Sequence, residues 1–138
     1  MNGYSSLVIE HFEHPRNVGQ FSSEALRSPG EVVQGSAGDV AQGVQFVLSA
    51  QVGEGVIRAA RFEAYGCPHC IACGSWLTER LPGHTLARLA QWRWREAARV
   101  LEVPVEKFGR LLVLEDAVRR LTEDWARKAS GADRAVGI

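Results

Sequence analysis

All three cysteines of this 138-residue chain fall in one short run, Tyr65-Gly-Cys-Pro-His-Cys-Ile-Ala-Cys-Gly74. Thiolate is the nucleophilic and the metal-ligating form of cysteine, so any chemistry is expected here. The run follows a strand-like segment and opens a helix-like one. That places Cys67 where unpaired backbone N–H groups and the helix dipole favour an anion. A helix advances about 100° and 1.5 Å per residue, so Cys67, Cys70 and Cys73 spread over one side of two turns. Cys67 and Cys70 converge at the helix start, and Cys73 sits a turn deeper. Two or three residues between thiols recur in zinc, iron–sulfur and dithiol sites. Cys73 also reads as a small buried apolar residue, and His69 as a solvated residue at the helix start.

The elements that must position this run are legible from periodicity. Tyr4 to Glu13 reads as a short amphipathic helix with Ser5 or Ser6 as cap, Leu7, Val8, His11 and Phe12 on one side, and Pro15 as its stop. Residues 22–30 are loop-like, and Glu31 to Gln34 predicts a short strand. Val44, Phe46, Leu48 and Ala50 alternate with more polar neighbours, the period of a strand buried on one face. Gly53-Glu-Gly55 turns the chain into a return strand over Val56 to Tyr65, with Arg58, Ala60, Phe62 and Ala64 expected on one side. From Pro68 the period becomes helical, with Ile71, Trp76 and Leu77 on a buried face until Pro82-Gly83. Short helices are expected over Leu86 to Trp92 and Trp94 to Leu101. Phe108, Leu111, Leu114, Val118, Leu121 and Trp125 then recur at helical spacing, predicting a last helix of about five turns. A frayed tail is expected from about residue 130. Strands first and helices after them indicate an α+β fold: a small three-stranded antiparallel sheet, an N-terminal helix and a C-terminal helical layer on one face, in a single domain over 1–138.

Composition agrees. With 46% hydrophobic and 23% charged residues, the chain is ordinary globular material. No apolar run approaches the roughly 18 residues of a membrane span, and the N-terminus lacks the basic and apolar regions of a signal peptide. A cytoplasmic protein is expected. An odd number of clustered cysteines suits metal or redox use in a reducing compartment better than a disulfide framework. Basic and acidic residues number 16 each, so no overall field recruits nucleic acid. Walker-type phosphate loops and activated-serine signatures are absent, and turnover of a small substrate is not expected.

Several segments in order carry a resemblance: Tyr4-Ser-Ser-Leu-Val-Ile-Glu-His-Phe-Glu-His-Pro-Arg-Asn-Val-Gly19, Gly38-Asp-Val40, Ala60-Arg-Phe62, Tyr65-Gly-Cys67, Ile71-Ala72, Thr78-Glu79 and Glu115-Asp-Ala117. Together they resemble the IscU/NifU-type iron–sulfur cluster scaffold family over residues 4 to about 128. The resemblance implies the IscU/SufE-like fold and transient assembly of a [2Fe-2S] cluster on three cysteines and a nearby aspartate. Sulfur would come from a cysteine desulfurase and the cluster would pass to acceptor proteins. Thiolates suit this as soft ligands for iron.

Carried over residue by residue, the family's aspartate is Asp39 and its second cysteine is Cys67. The place of the first cysteine holds Ala37. The third cysteine, with the histidine before it, falls at Gly109-Arg110, and the proline-rich chaperone-recognition motif reads Val103-Pro-Val-Glu-Lys107, which argues against a chaperone interaction. Cys70 and Cys73 stand where the family usually carries small residues. The expected donor set is therefore Asp39, Cys67, Cys70 and Cys73, with His69 as an alternative ligand and zinc as an alternative to iron or a cluster. Asp39 also reads as a turn cap, and Arg110 as a solvated charge or a cation presented to the site. His11 and His14 are expected to pack or hydrogen-bond, and Trp92, Trp94 and Trp125 to anchor core or interface. A second subunit supplying the missing ligands would make the protein a homodimer. Two other functions compete: a thiol–disulfide protein using Cys67-Pro-His-Cys70, a motif shared with some thioredoxin-like oxidants, and a non-catalytic relative that binds and regulates a desulfurase.

Overall fold

The computed structural model describes residues 3–22 and 32–130, so the predicted loop beyond Ser22, the first residue of the predicted strand at Glu31 and the predicted tail beyond Ser130 lie outside the described residues. The element order is α1 (Ser6–Glu13), β1 (Val32–Asp39), β2 (Val44–Gly53), β3 (Val56–Tyr65), α2 (Pro68–Arg80), α3 (Leu86–Leu89), α4 (Trp94–Val100) and α5 (Phe108–Ala129). The strands form one antiparallel meander in the order β1-β2-β3. The α+β architecture and helical layer expected from the sequence are present.

Phe46, Leu48 and Ala50 are fully buried on the central strand, and their partners across the sheet, Ala37, Gly35 and Val33 on β1, lie on the same covered face. Gly35 lets α5 lie directly on β1: a Cβ there would stand 2.2 Å from the Leu121 backbone nitrogen and 2.4 Å from the Ala117 carbonyl oxygen. Gly74 does the same for α2 over β3, where a Cβ would meet the Phe62 ring at 2.4 Å. The outer edge of β1 is covered from α5. Lys128 Nζ donates to the Val32 carbonyl, Asp124 accepts from the Gln34 N–H, and Arg120 donates to the Ser36 carbonyl, so backbone groups that would otherwise be open to another strand have partners.

Four expectations change. β1 is eight residues long and runs to Asp39 rather than ending at Gln34; Gly35 and Gly38 hide its apolar signal. The alternation of β3 is broken by a bulge, because Gln51 pairs with Ala59 while Val52 pairs with Ile57. Ile57 therefore joins Ala60 and Phe62 in the core, and Arg58 turns out to an ion pair with Glu54 at 2.9 Å. The last helix has 22 residues, about six turns, and α3 is a single turn capped by the Thr85 hydroxyl.

The His-Pro-Arg-Asn-Val-Gly segment is structural. Asn17 takes a positive φ of 64°, and the chain then runs beside β3, with the Phe62 N–H donating to the Asn17 carbonyl and the Gly19 N–H to the Phe62 carbonyl, both at 2.8 Å. Buried His11 holds the Ser75 hydroxyl at 2.7 Å through Nδ1, which locks α1 onto α2. Burial lowers the His11 pKa, as does the Arg16 guanidinium. His14 is exposed and gives its backbone N–H to the end of α1. No described helix is long and apolar enough to cross a membrane.

Candidate functional site

The site is built at one end of the sheet. Asp39 is the last residue of β1 and pairs with Val44, the first of β2, while Gln45 pairs with Tyr65, the last of β3. The chain leaves β3 through Gly66, with φ of 150°, and Cys67 takes the N-cap position of α2 in an extended conformation, with Pro68 behind it. Cys67 makes no side-chain cap bond and is half-buried. Its sulfur therefore sits at a helix start, where the Cys70 and Ile71 N–H groups donate to the Cys67 carbonyl at 2.9 and 3.4 Å. Asp39 is exposed, and its Oδ1 accepts the Gln42 N–H at 2.8 Å, which caps the one-turn segment between β1 and β2. The turn-capping role is thus observed, and it leaves the other carboxylate oxygen open.

The three thiols are ordered by depth. Cys70 is completely buried with Sγ turned back toward Gly66; a Cβ on Gly66 would lie 2.6 Å from it. Burial, followed by the neighbouring Cys67, pushes the Cys70 thiol up to about 12. Cys73 is likewise fully buried, and burial pushes its pKa up still further. It packs in the core, as its small-apolar reading holds. Among the described residues no three histidine, cysteine, aspartate or glutamate side chains are grouped to hold a metal ion. Asp39, Cys67, Cys70 and Cys73 share a region of the fold but do not form a ready-made cage within one chain.

His69 differs from its expectation. It is 3% exposed rather than solvated, because the Tyr4 ring packs against it at 4.7 Å, and its Nδ1 lies 3.9 Å from Cys67 Sγ. Burial, with Lys107 and Arg110 nearby, lowers its pKa. Its Nε2 is buried without a partner. Tyr4 is the residue that sequence reasoning missed: it stood in the quoted N-terminal segment, but nothing in its spacing ties it to residue 69. Arg110 is half-buried rather than a freely solvated charge, and its Nε is enclosed without a partner. Its field reaches both His69 and Cys70. Ala37 is 5% exposed on β1. Trp92 and Trp125 are buried anchors, and the Trp94 and Phe108 rings pack tilted at 58° with centroids 4.8 Å apart. A cavity of about 480 Å³ lined by Leu7, His11, Trp76, Arg80 and His84 lies toward the other end of α2.

A two-layer α+β domain with a single helical face, carrying a half-buried thiol at a sheet-to-helix corner beside a carboxylate loop, defines the structural class. The chain belongs to the family of the NifU-like N-terminal domain, whose model matches residues 3–131. It is 36% identical over 126 residues to the iron–sulfur cluster assembly scaffold protein IscU of Escherichia coli K12, covering 91% of this chain and 95% of that one. IscU of Azotobacter vinelandii is 35% identical with the same coverage. Among solved structures, the N-terminal part of a nitrogen-fixing NifU-like protein from Brucella abortus superposes with a TM-score of 0.60 at 16% identity, over 90% of this chain and 94% of that one. That likeness shows the fold.

Proposed function

We propose that this protein is an iron–sulfur cluster assembly scaffold or carrier that receives its cluster, or iron, at the Cys67 corner. The observation that supports it most is the coincidence of Cys67 and Asp39 at one end of the sheet in a chain that matches scaffold relatives over 91% of its length. The half-buried Cys67 thiol and the open Asp39 carboxylate oxygen are the first two donors. Cys70 becomes a third by turning out of its pocket beside Gly66, and Cys73 a fourth only if the first turns of α2 loosen. Ala37 and Arg110 stand where two family cysteines would be, so this chain holds its cargo with fewer ready donors than the family pattern, and a second copy of the chain supplying donors at the same corner would make up the number.

The cargo fits a [2Fe-2S] cluster or iron bound transiently, with zinc competing for the same thiols. Its partners are a cysteine desulfurase as sulfur source and iron–sulfur acceptor proteins. Val40 beside Asp39 and Tyr65 beside Gly66 are 54% and 50% exposed and give a partner apolar purchase at the corner. The altered motif at Val103 to Lys107, where Val105 is 75% exposed, argues against a chaperone contact. The role is assembly and transfer in the cytoplasm rather than turnover.

Anaerobic reconstitution with iron and sulfide tests this reading, with iron, zinc and acid-labile sulfide measured for the wild type, Cys67→Ala and Asp39→Ala. Iron with matching sulfide in the wild type, lost in Cys67→Ala, is expected. Zinc alone, or equal iron in the Cys67→Ala protein, would overturn it.

A further inference from the structure

The sheet-to-helix corner holds a second thiol whose placement goes beyond ligation. Cys70 Sγ fills the space a Cβ on Gly66 would need, and the Cys70 N–H donates to the Cys67 carbonyl at 2.9 Å. Residues three apart at a helix start have Cα atoms about 5 to 6 Å apart, within the span a disulfide bridges. Cys67 is half-buried and reaches the surface, whereas Cys70, three residues along α2, is fully buried. Two nitrogens in the surroundings, His69 Nε2 and Arg110 Nε, are buried without partners. Such orphans are costly unless a further group engages them, and a small sulfur anion on Cys67 would bring an acceptor into their neighbourhood.

We propose that Cys67 and Cys70 are a built-in two-electron reductant that converts a sulfane sulfur, delivered as a persulfide onto Cys67, into sulfide. The inference rests on the scaffold reading, because a cluster contains sulfide and sulfane sulfur must gain two electrons to become it. In the first step Cys67 Sγ attacks the terminal sulfur of a donor R–S–SH. A Cys67 S–S bond forms, the donor S–S bond breaks, and the donor departs as R–SH. In the second step Cys70 Sγ attacks Cys67 Sγ. The Cys67–Cys70 bond forms, the bond to the outer sulfur breaks, and that sulfur leaves as H₂S with the Cys70 proton and its own. Two thiols become one disulfide while one sulfur is reduced, and an external thiol reductant resets the pair. The buried position of Cys70 confines it to sulfur already on Cys67, so bulky disulfides outside do not consume it.

The test mixes the reduced full-length chain anaerobically with glutathione persulfide, without iron, and follows H₂S and the thiol state by peptide mapping. Release of one H₂S per chain with a Cys67–Cys70 disulfide is expected. Cys70→Ser should lose the release and retain a persulfide on Cys67, and Cys73→Ser should behave as wild type. Wild-type release from a folded Cys70→Ser protein, or free Cys70 in the wild type after the reaction, would overturn the proposal; the mapping stands even if the variant does not fold. Because iron is absent from this assay, a chain that releases sulfide but never retains iron would sink the scaffold reading alone, and a chain that retains iron but forms no disulfide would sink this step alone.

Discussion

Replacing Gly66 by alanine attacks the contact that sets the depth of Cys70. The new carbon would lie 2.6 Å from Cys70 Sγ and 3.1 Å from its Cβ, against a residue that is fully buried. Two costs add. Holding alanine at a φ of 150° is worth about 1–3 kcal/mol, and overpacking against the sulfur about 1–3 kcal/mol, so Gly66→Ala should destabilise by roughly 2–6 kcal/mol. The two separate in a double-mutant cycle with Cys70→Ala, which deletes the sulfur and leaves the backbone strain. Gly66→Ala/Cys70→Ala should then be more stable than the sum of the single changes by about 1–3 kcal/mol, read from urea midpoints under reducing conditions with m unchanged. Additivity within about 0.5 kcal/mol would show that Cys70 Sγ does not face Gly66, and the geometry that brings it to Cys67 would go with it.

Gly35→Ala should be at least as damaging, by about 3 kcal/mol or more, because the added carbon meets the backbone of α5 at Leu121 and Ala117 rather than a side chain that can swing; a thermal midpoint close to wild type would refute the close crossing. The histidines set an acid limit. Burial lowers the pKa of His11 in the fold, so the unfolded chain binds the proton more readily; stability is full above the unfolded value of about 6.5 and declines as pH falls below it. Urea midpoints between pH 7.5 and 5 should show that decline, and His11→Gln should make it shallower, leaving the part carried by His69 and His84; an unchanged slope in the variant would remove His11 as a cause. Arg110→Cys should raise iron and sulfide retained per chain after anaerobic reconstitution, since it returns a thiol to the place where the family carries one, and retention no greater than wild type would mean that Arg110 does not border the site.

Why some of this was legible in the sequence and some was not follows from what periodicity reports. It reports faces, so the paired strands, the α2 start at Pro68 and the buried stripe of α5 could be read, and Arg58 was misassigned because a bulge moves a residue between faces without altering composition. It does not report depth. The 100° step placed Cys67, Cys70 and Cys73 on one side of α2, yet only the packing of α2 shows that Cys70 turns back against Gly66 and that Cys70 and Cys73 are fully buried while Cys67 is not. Family resemblance supplied Asp39 and Cys67 by position and marked Arg110 as a departure, but only the fold encloses its Nε near a second orphan on His69. The graded burial of the cysteines then has a chemical consequence. A donor set meant for a permanently held metal would present its thiols together, whereas a half-buried thiol with a second fully buried three residues along the helix suits sulfur that arrives on the outer thiol before the inner one acts.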